Sequence, residues 1–266
     1  MTKLIIERLG VLSEAEVESS LSILRRFYNT INDPPPLVYV LIVGNRSSFL
    51  SLLTTLHQTY CVQNVQSYEN FEAAHNAYTG APQIIICLES LRKLSHKVAE
   101  GILLHEAAHT VLHGFLEAYL APINLIHEAA KLIGLEQAAN LVYAVAMAVK
   151  DYEASKLLVD LGLRAEAKMY ALHLLSKTKD LEEEWKISLR LNLALLHLAE
   201  LLKPLCCAIP ILPDPEVHEA IDTLTSHLPL TVKCRLRGLI EDPRWVDEKS
   251  LWEKIKSLLL SLATIL

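Results

Sequence analysis

The sequence predicts an α+β fold, in which a small mixed sheet lies over one helix and an all-helical part follows. Two runs, Leu37–Val43 and Gln83–Leu88, are rich in aliphatic and β-branched residues and follow proline-containing turns, which predicts buried strands. Helical periodicity surrounds them, and beyond Gly114 the chain carries only helical signals. We therefore expect one domain over residues 1–162 and a helical domain or extension over residues 163–266.

Further elements fill the first part of the chain. A Ser-x-x-Glu capping box at Ser13 opens a helix that reaches about Tyr28. A second helix is predicted over Ser47–His57, a weaker strand over Tyr60–Gln66 and a short helix near Phe71–Tyr78. The first hundred residues therefore alternate between helical and extended patterns.

The rest of the chain is predicted to be helical. The predicted helices cover Leu91–Leu112, Pro122–Ile133 and Leu135–Leu161. In the Leu-rich stretch that follows, prolines should interrupt the helices, because an interior proline removes a backbone hydrogen bond. These prolines are Pro204, the cluster from Pro210 to Pro215, Pro229 and Pro243.

Composition and charge exclude several classes of partner. With 266 residues, of which 52% are hydrophobic, the chain can bury a sizeable core. A formal net charge of −6 provides no basic field for nucleic acid or for an anionic membrane surface. The longest charge-free apolar stretches, Ala138–Val149 and Ser257–Leu266, are shorter than the roughly 18 residues that a membrane span needs. We therefore expect neither a nucleic-acid partner nor a membrane span.

The N-terminus and the cysteines indicate the cellular compartment. The apolar run near the N-terminus is too short for a secretory signal, which favours a cytoplasmic protein. The five cysteines are odd in number and form no C-x-x-C pair, so neither a disulfide framework nor a thiolate zinc site is indicated. We expect the cysteines to be buried core thiols.

The run His105-Glu106-Ala107-Ala108-His109 lies within the predicted helix Leu91–Leu112. In a helix the two histidines are one turn apart on the same face, so both imidazoles can reach one metal ion. Glu106 lies beside them as a candidate base, and this H-E-x-x-H arrangement is typical of zinc metallopeptidases. A catalytic zinc takes three protein ligands and leaves one position for water, so a third ligand must come from elsewhere in the chain.

The segment from His105 to His113 resembles the HELGHxxLH run of the ImmA/IrrE-type metallopeptidases and, more loosely, the corresponding run of archaeal minigluzincins. In those families a glutamate on a later helix is the third zinc ligand. The matching stretch here is Asp151-Tyr152-Glu153-Ala154-Ser155, with Asp151 at the ligand position and Ser155 where Asp or Asn is usual. The resemblance does not extend to the last hundred residues.

The resemblance implies a zincin-like, more narrowly gluzincin-like, N-terminal part. It implies Zn²⁺ as cofactor, with His105, His109 and Asp151 as metal ligands and Glu106 as the general base of peptide-bond hydrolysis. In zincins the edge strand above the active-site helix pairs with extended substrate, and we expect Gln83–Leu88 to be that strand.

Three carboxylates compete for the third ligand position. The motif context that carries the resemblance favours Asp151. Asp is one methylene shorter than Glu, and alanines on the same helix face would allow the closer approach to the histidine helix that it needs. Glu128 follows His109 after 18 intervening residues, which is the spacing of gluzincin aminopeptidases. Glu153 is rotated by about 200° from Asp151, so these two cannot both face one metal.

Other residues near the motif keep more than one interpretation. His113 lies about 12 Å along a straight helix from His105, so it is either an outer or transition-state donor or a packed or capping histidine. Tyr143 and Tyr152 are either oxyanion donors or core aromatic residues, and nothing in the sequence selects between the two roles. Gly101 leaves room either for a strand or substrate, or for helix packing. The remaining histidines are interpreted as ordinary, namely His57, His75, His96, His127, His173, His197, His218 and His227.

The leading hypothesis is a zinc-dependent metallopeptidase, a hydrolase that acts on a peptide or protein substrate. The alternative is a non-catalytic, zinc-bearing helical scaffold whose C-terminal helices bind a protein partner. A third interpretation is that H-E-x-x-H is coincidental in a plain globular protein. The run His127–Lys131 shows that part of the motif also occurs elsewhere in the chain, because this run begins with His-Glu and lacks the second histidine.

Overall fold

The computed structural model describes residues 2–60 and 71–266. Over these residues the strands are β1 (Lys3–Leu9), β2 (Leu37–Val43), β3 (Ala73–Asn76) and β4 (Gln83–Cys87). The α-helices are α1 (Glu14–Thr30), α2 (Arg46–Thr59), α3 (Leu88–Leu91), α4 (His96–Leu112), α5 (Ile123–Ile133), α6 (Leu135–Asp160), α7 (Arg164–Leu175), α8 (Leu181–Arg190), α9 (Ala194–Ala208), α10 (Pro215–Leu224), α11 (Leu230–Glu241) and α12 (Leu251–Leu262). A small mixed sheet is followed by helices alone, so the predicted α+β class is confirmed.

The chain divides into two compact units. The first unit consists of residues 1–120 and 157–170, and the second consists of residues 121–156 and 171–266. Helix α6 begins in the second unit and ends in the first, whereas α7 begins in the first and ends in the second. The domain boundary predicted at residue 162 stays a prediction.

The sheet has the strand order β1-β2-β4-β3 within the described part of the chain. Strands β1, β2 and β4 run parallel, with Leu4 opposite Val38 and Leu41 opposite Ile85, whereas β3 runs antiparallel to β4. Strand β4 is therefore an inner strand. The expectation that Gln83–Leu88 is the edge strand for substrate is wrong, because β3 pairs with β4 on that side.

Most predicted elements of the first unit are present, with small shifts at their ends. Strand β2 has the predicted bounds, and α1 begins after Ser13, although this side chain makes no capping hydrogen bond. The short helix predicted near Phe71–Tyr78 is wrong, because its alanines favour helix but pairing with β4 makes the segment a strand. The strand predicted over Tyr60–Gln66 lies outside the described residues apart from Tyr60. Strand β1 has no matching sequence prediction.

Prolines mark the ends of helices in the second unit, with one exception. The predicted interruptions at the cluster from Pro210 to Pro215, at Pro229 and at Pro243 all fall at or between helix ends. The break predicted at Pro204 is wrong, because α9 continues through it. An interior proline costs about 3 kcal/mol, and buried leucines before and after Pro204 stabilise the helix enough to offset that cost.

The cysteines agree in part with the prediction of core thiols. Cys87, Cys206 and Cys207 are buried and free, whereas Cys234 is exposed. Burial, together with the Asp151 carboxylate, raises the pKa of the Cys206 and Cys207 thiols well above the usual value, which keeps both neutral. Cys61 lies outside the described residues.

One stretch of the second unit has the length and composition of a membrane span. Ala194–Ile211 is apolar enough, and 67% of it is buried inside the protein. Leu116–Ile133 and Leu135–Asp160 qualify only when they are taken together, and they bend by 115° at the break between them. Because buried core helices have the same composition, the sequence prediction of no membrane span stays a prediction.

Helix α4 is buried along most of its length. Ten consecutive residues, Gly101–Thr110, are inaccessible to solvent or nearly so. The helix packs against α1 and against strands β3 and β4, and the Tyr28 hydroxyl of α1 lies 2.6 Å from the Thr110 hydroxyl. Polar side chains in this run are therefore kept from water and must find partners inside the protein.

Gly101 lies where α4 and α7 approach each other closely. A Cβ atom at this position would be 2.6 Å from the carbonyl oxygen of Glu166 and 3.3 Å from the backbone nitrogen of Tyr170. Both atoms belong to the backbone of α7 and cannot move aside cheaply. Of the two roles that the sequence leaves open for Gly101, the structure supports helix packing.

Two carboxyl groups interact between α8 and α9 in the second unit. Burial, with a smaller effect of the Glu184 charge, raises the pKa of Glu200 to about 7. Burial and Asp180 also raise the pKa of Glu184. Glu200 is therefore partly protonated at neutral pH, which makes the stability of the protein depend on pH.

We expect Gly101→Ala to lower the free energy of unfolding by about 1–3 kcal/mol, because the added methyl group would collide with the backbone of α7. Chemical denaturation of the variant and the wild type measures the difference. Gly238→Ala is the matched control, because Gly238 lies in α11 with open space around the added Cβ, and it should be neutral or stabilising. Equal stability of Gly101→Ala and wild type would contradict the close approach of the two helices.

Glu200→Gln should stabilise the protein above neutral pH. The unfolded state releases the Glu200 proton near pH 4 and the folded state near pH 7, so the wild type loses stability as the pH rises between these values. The variant lacks this loss and should be more stable at pH 8 by up to about 3 kcal/mol, with the advantage vanishing near pH 4. Urea denaturation at a series of pH values measures it.

Glu183→Gln removes an exposed charge from α8 and serves as the control for general charge effects. A stability difference between Glu200→Gln and wild type that does not change with pH would contradict the assignment.

Candidate metal centre

Helix α4 places the two motif histidines on one face. Its first turn is capped by Ser95, whose side chain accepts a hydrogen bond from the Val98 N–H, and the helix ends at Leu112. His105 and His109 are 0% and 1% exposed, and their Nε2 atoms are 3.0 Å apart. Two imidazole ligands of one tetrahedral zinc ion would be about 3.3 Å apart. The pair is therefore close to the spacing that a single ion can bridge.

Asp151 of α6 joins the two histidines. One possible ligand atom from each of His105, His109 and Asp151 lies within 4.8 Å of the other two. All three residues are buried. Two imidazoles and one carboxylate are a donor set that several first-row divalent metals accept, zinc and iron(II) among them. The residues fit a divalent ion, but they do not select zinc.

The charge of Asp151 supports the same interpretation. A buried carboxylate is costly unless a cation or hydrogen bonds compensate its charge. The Lys203 ammonium lies 3.8 Å from Oδ2 of Asp151. As an anionic oxygen donor, the Asp151 carboxylate is also a suitable ligand for a divalent cation.

The two rival carboxylates have partners elsewhere. Glu128 on α5 forms an ion pair with Lys131 at 2.8 Å, and this hydrogen bond lowers the pKa of Glu128. Glu153 forms an ion pair with Lys254 at 2.5 Å within the second unit. Neither belongs to the group that includes Asp151.

His113 contacts the side of His109 that faces away from His105. Its backbone N–H donates to the His109 carbonyl oxygen at 2.7 Å, so His113 is the C-cap residue of α4. The Nδ1 atoms of His113 and His109 are 3.2 Å apart. Because Nε2 of His109 faces His105, its Nδ1–H is the natural donor to His113. His113 thus combines the capping role with that of an outer partner to a candidate ligand.

His75 contacts Glu106, although the sequence alone indicates no functional role for His75. His75 on β3 places Nδ1 2.6 Å from Oε2 of Glu106, and the two side chains are only 7% and 8% exposed. The His75 ring also stacks on His109, with the ring centroids 3.7 Å apart and the planes 12° apart. No local pattern distinguishes this histidine, because its contacts depend on the pairing of β3 with β4 in a segment where the sequence predicts a short helix.

Tyr170 is another neighbour without a sequence signal. Its ring lies against His105, with centroids 4.1 Å apart and planes 34° apart. Tyr170 belongs to α7, which Gly101 allows to approach α4 closely. The glycine one turn before the first histidine thus brings an aromatic ring against it.

The two tyrosines that the sequence suggested as oxyanion donors have different surroundings. Tyr152 packs edge-on against Trp245 in the second unit, with centroids 5.1 Å apart. Burial and the Asp151 carboxylate raise the pKa of Tyr143 to about 12, so its hydroxyl keeps its proton at neutral pH. A transition-state role for either tyrosine stays a prediction.

Comparisons of the chain with protein-family models, with curated proteins and with solved structures found no significant match.

Proposed function

We propose that this protein is a zinc-dependent peptidase that hydrolyses peptide bonds in a peptide or protein substrate. The observation that carries the proposal is the buried group of His105, His109 and Asp151, with Glu106 next to the first histidine on the same helix. The resemblance of the motif to ImmA/IrrE-type metallopeptidases supports the choice of reaction.

In the proposed reaction, metal binding, proton transfer and ligand orientation are carried out by different residues of the chain. His105 and His109 would hold the ion through their imidazole nitrogens, and Asp151 through a carboxylate oxygen. When bound, Zn²⁺ supplies a Lewis acid that lowers the pKa of water and polarises a carbonyl group. Glu106 accepts a proton from the attacking water and returns it to the nitrogen of the departing amine. His113 fixes the ring orientation of His109 from the other side.

A second candidate is a non-catalytic metal-bearing scaffold whose C-terminal helices bind a protein partner. Burial favours it, because Glu106 is only 6% exposed and the three candidate ligands are no more than 1% exposed. Structural zinc sites are closed in this way, whereas catalytic sites keep an open position for water and substrate. Closed sites have four protein ligands, however, and within the described part of the chain three candidate ligands come together.

Protein purified without added metal should contain about one equivalent of zinc per chain, and Asp151→Asn should lower the metal affinity by 10-fold or more, because a neutral amide is a poor ligand. Elemental analysis and competition with a chelator measure both. Glu128→Gln is the matched control, because it removes the rival carboxylate and should leave the zinc content unchanged. Zinc lost from Glu128→Gln but retained by Asp151→Asn would reverse the ligand assignment.

Glu106→Gln should reduce peptide hydrolysis by about 10²–10⁴-fold while zinc is retained, because the amide cannot accept the proton from water. Cleavage of a broad peptide library, followed by mass spectrometry, measures it beside the wild type. Stoichiometric zinc in a wild type that cleaves no member of the library would favour the scaffold. Equal activity of Glu106→Gln and wild type would remove Glu106 from the mechanism.

A further inference from the structure

His75 contacts two members of the candidate centre at once, and it comes from the sheet rather than from the helix that carries the motif. From this contact we infer that His75 is a positioning residue, which orients the Glu106 carboxylate for proton transfer and holds the His109 ring in its ligand orientation. The inference rests on the proposed peptidase function.

The first contact is the hydrogen bond between His75 Nδ1 and Glu106 Oε2. The proposed role of Glu106 as a base requires an ionised carboxylate, which only accepts hydrogen bonds, so we assign the proton to Nδ1 of His75. At 2.6 Å between two buried side chains the contact is short, as expected for a charge-assisted bond. It ties one carboxylate oxygen of Glu106 to β3.

This bond matters because Glu106 has a long side chain. A glutamate on a helix can rotate about three torsions, and its terminal torsion is the least restricted. Proton transfer requires the accepting oxygen to lie about 2.6–3.2 Å from the water oxygen. When Oε2 is fixed by His75, the direction of the second oxygen is fixed with it, so the base is oriented before substrate arrives.

The second contact is the stack between His75 and His109. The planes are nearly parallel and the centroids are 3.7 Å apart. A flat ring at this distance blocks rotation of the His109 imidazole about its outer torsion. His113 holds the same imidazole through Nδ1. Together the two histidines keep His109 Nε2 directed toward His105.

Two substitutions separate these contacts. His75→Phe keeps a flat ring for the stack and removes the donor to Glu106. His75→Asn keeps an N–H donor near the place of Nδ1 and removes the ring. His96→Asn is the matched control, because His96 is an exposed histidine at the start of α4.

The experiment measures kcat, KM and zinc affinity for the full-length protein and these variants. His75→Phe should lower kcat by about 10–100-fold with little change in KM or zinc content, because the donor is lost and the stack remains. His75→Asn should recover most of kcat and bind zinc less tightly. His96→Asn should match the wild type in every measurement.

A spectroscopic readout tests the contact without relying on turnover. The Nδ1 proton of His75 should give a slowly exchanging, downfield imidazole signal in the proton NMR spectrum. The signal should be absent from both His75→Phe and Glu106→Ala and present in His96→Asn. Thermal denaturation of each variant establishes that it is folded.

The outcomes separate this inference from the function on which it rests. Wild-type hydrolysis that is unchanged in folded, zinc-loaded His75→Phe would overturn the positioning role and leave the peptidase standing. A downfield signal that survives Glu106→Ala would also overturn it. A zinc-loaded wild type without any hydrolysis would overturn both proposals.

Discussion

Polar side chains on a buried helix must be satisfied from inside the protein, and α4 is organised by this constraint. Four polar residues of the motif region, His105, Glu106, His109 and His113, are at most 6% exposed. Their contacts form a chain in which His113 meets His109, His109 meets His105, and His75 meets both Glu106 and His109. Each partner limits the freedom of the next, so the candidate ligands are oriented by residues that do not themselves hold an ion.

The burial of these residues affects the two proposed functions differently. Because water is excluded from these imidazoles and carboxylates, their electrostatic interactions with a metal ion or with a charged transition state are stronger than in water. This effect favours both metal binding and catalysis. The same burial keeps substrate, as well as water, away from Glu106. A peptidase with this centre must open a path to Glu106 during turnover, whereas a scaffold needs none. Whether the protein is a peptidase or a scaffold therefore depends on substrate access to Glu106 and not on the identity of the metal ligands.

The sequence predicted the parts of the site that depend on local periodicity. His105, Glu106 and His109 follow from one helical turn, and the motif context around Asp151 favours it as the third ligand. It did not predict His75 or Tyr170. His75 reaches Glu106 only because β3 pairs with β4, and Tyr170 reaches His105 only because α7 approaches the backbone at Gly101. Such contacts join residues far apart in the chain, and short-range patterns carry little information about them.

Strand β3, which carries His75, is only four residues long, with Ala73 opposite Ile86 at one end and Asn76 opposite Gln83 at the other. So short a ladder has few backbone amides to protect, and short segments of this kind belong to the parts of a fold that open locally at low free energy. The histidines of α4, in contrast, are carried by a helix of 17 residues with a buried centre. Hydrogen exchange should therefore be faster in β3 than in the middle of α4. His75, which we propose as the residue that orients Glu106, and the two candidate histidine ligands would then belong to separate cooperative units, so β3 could lose its order while the centre of α4 remains intact.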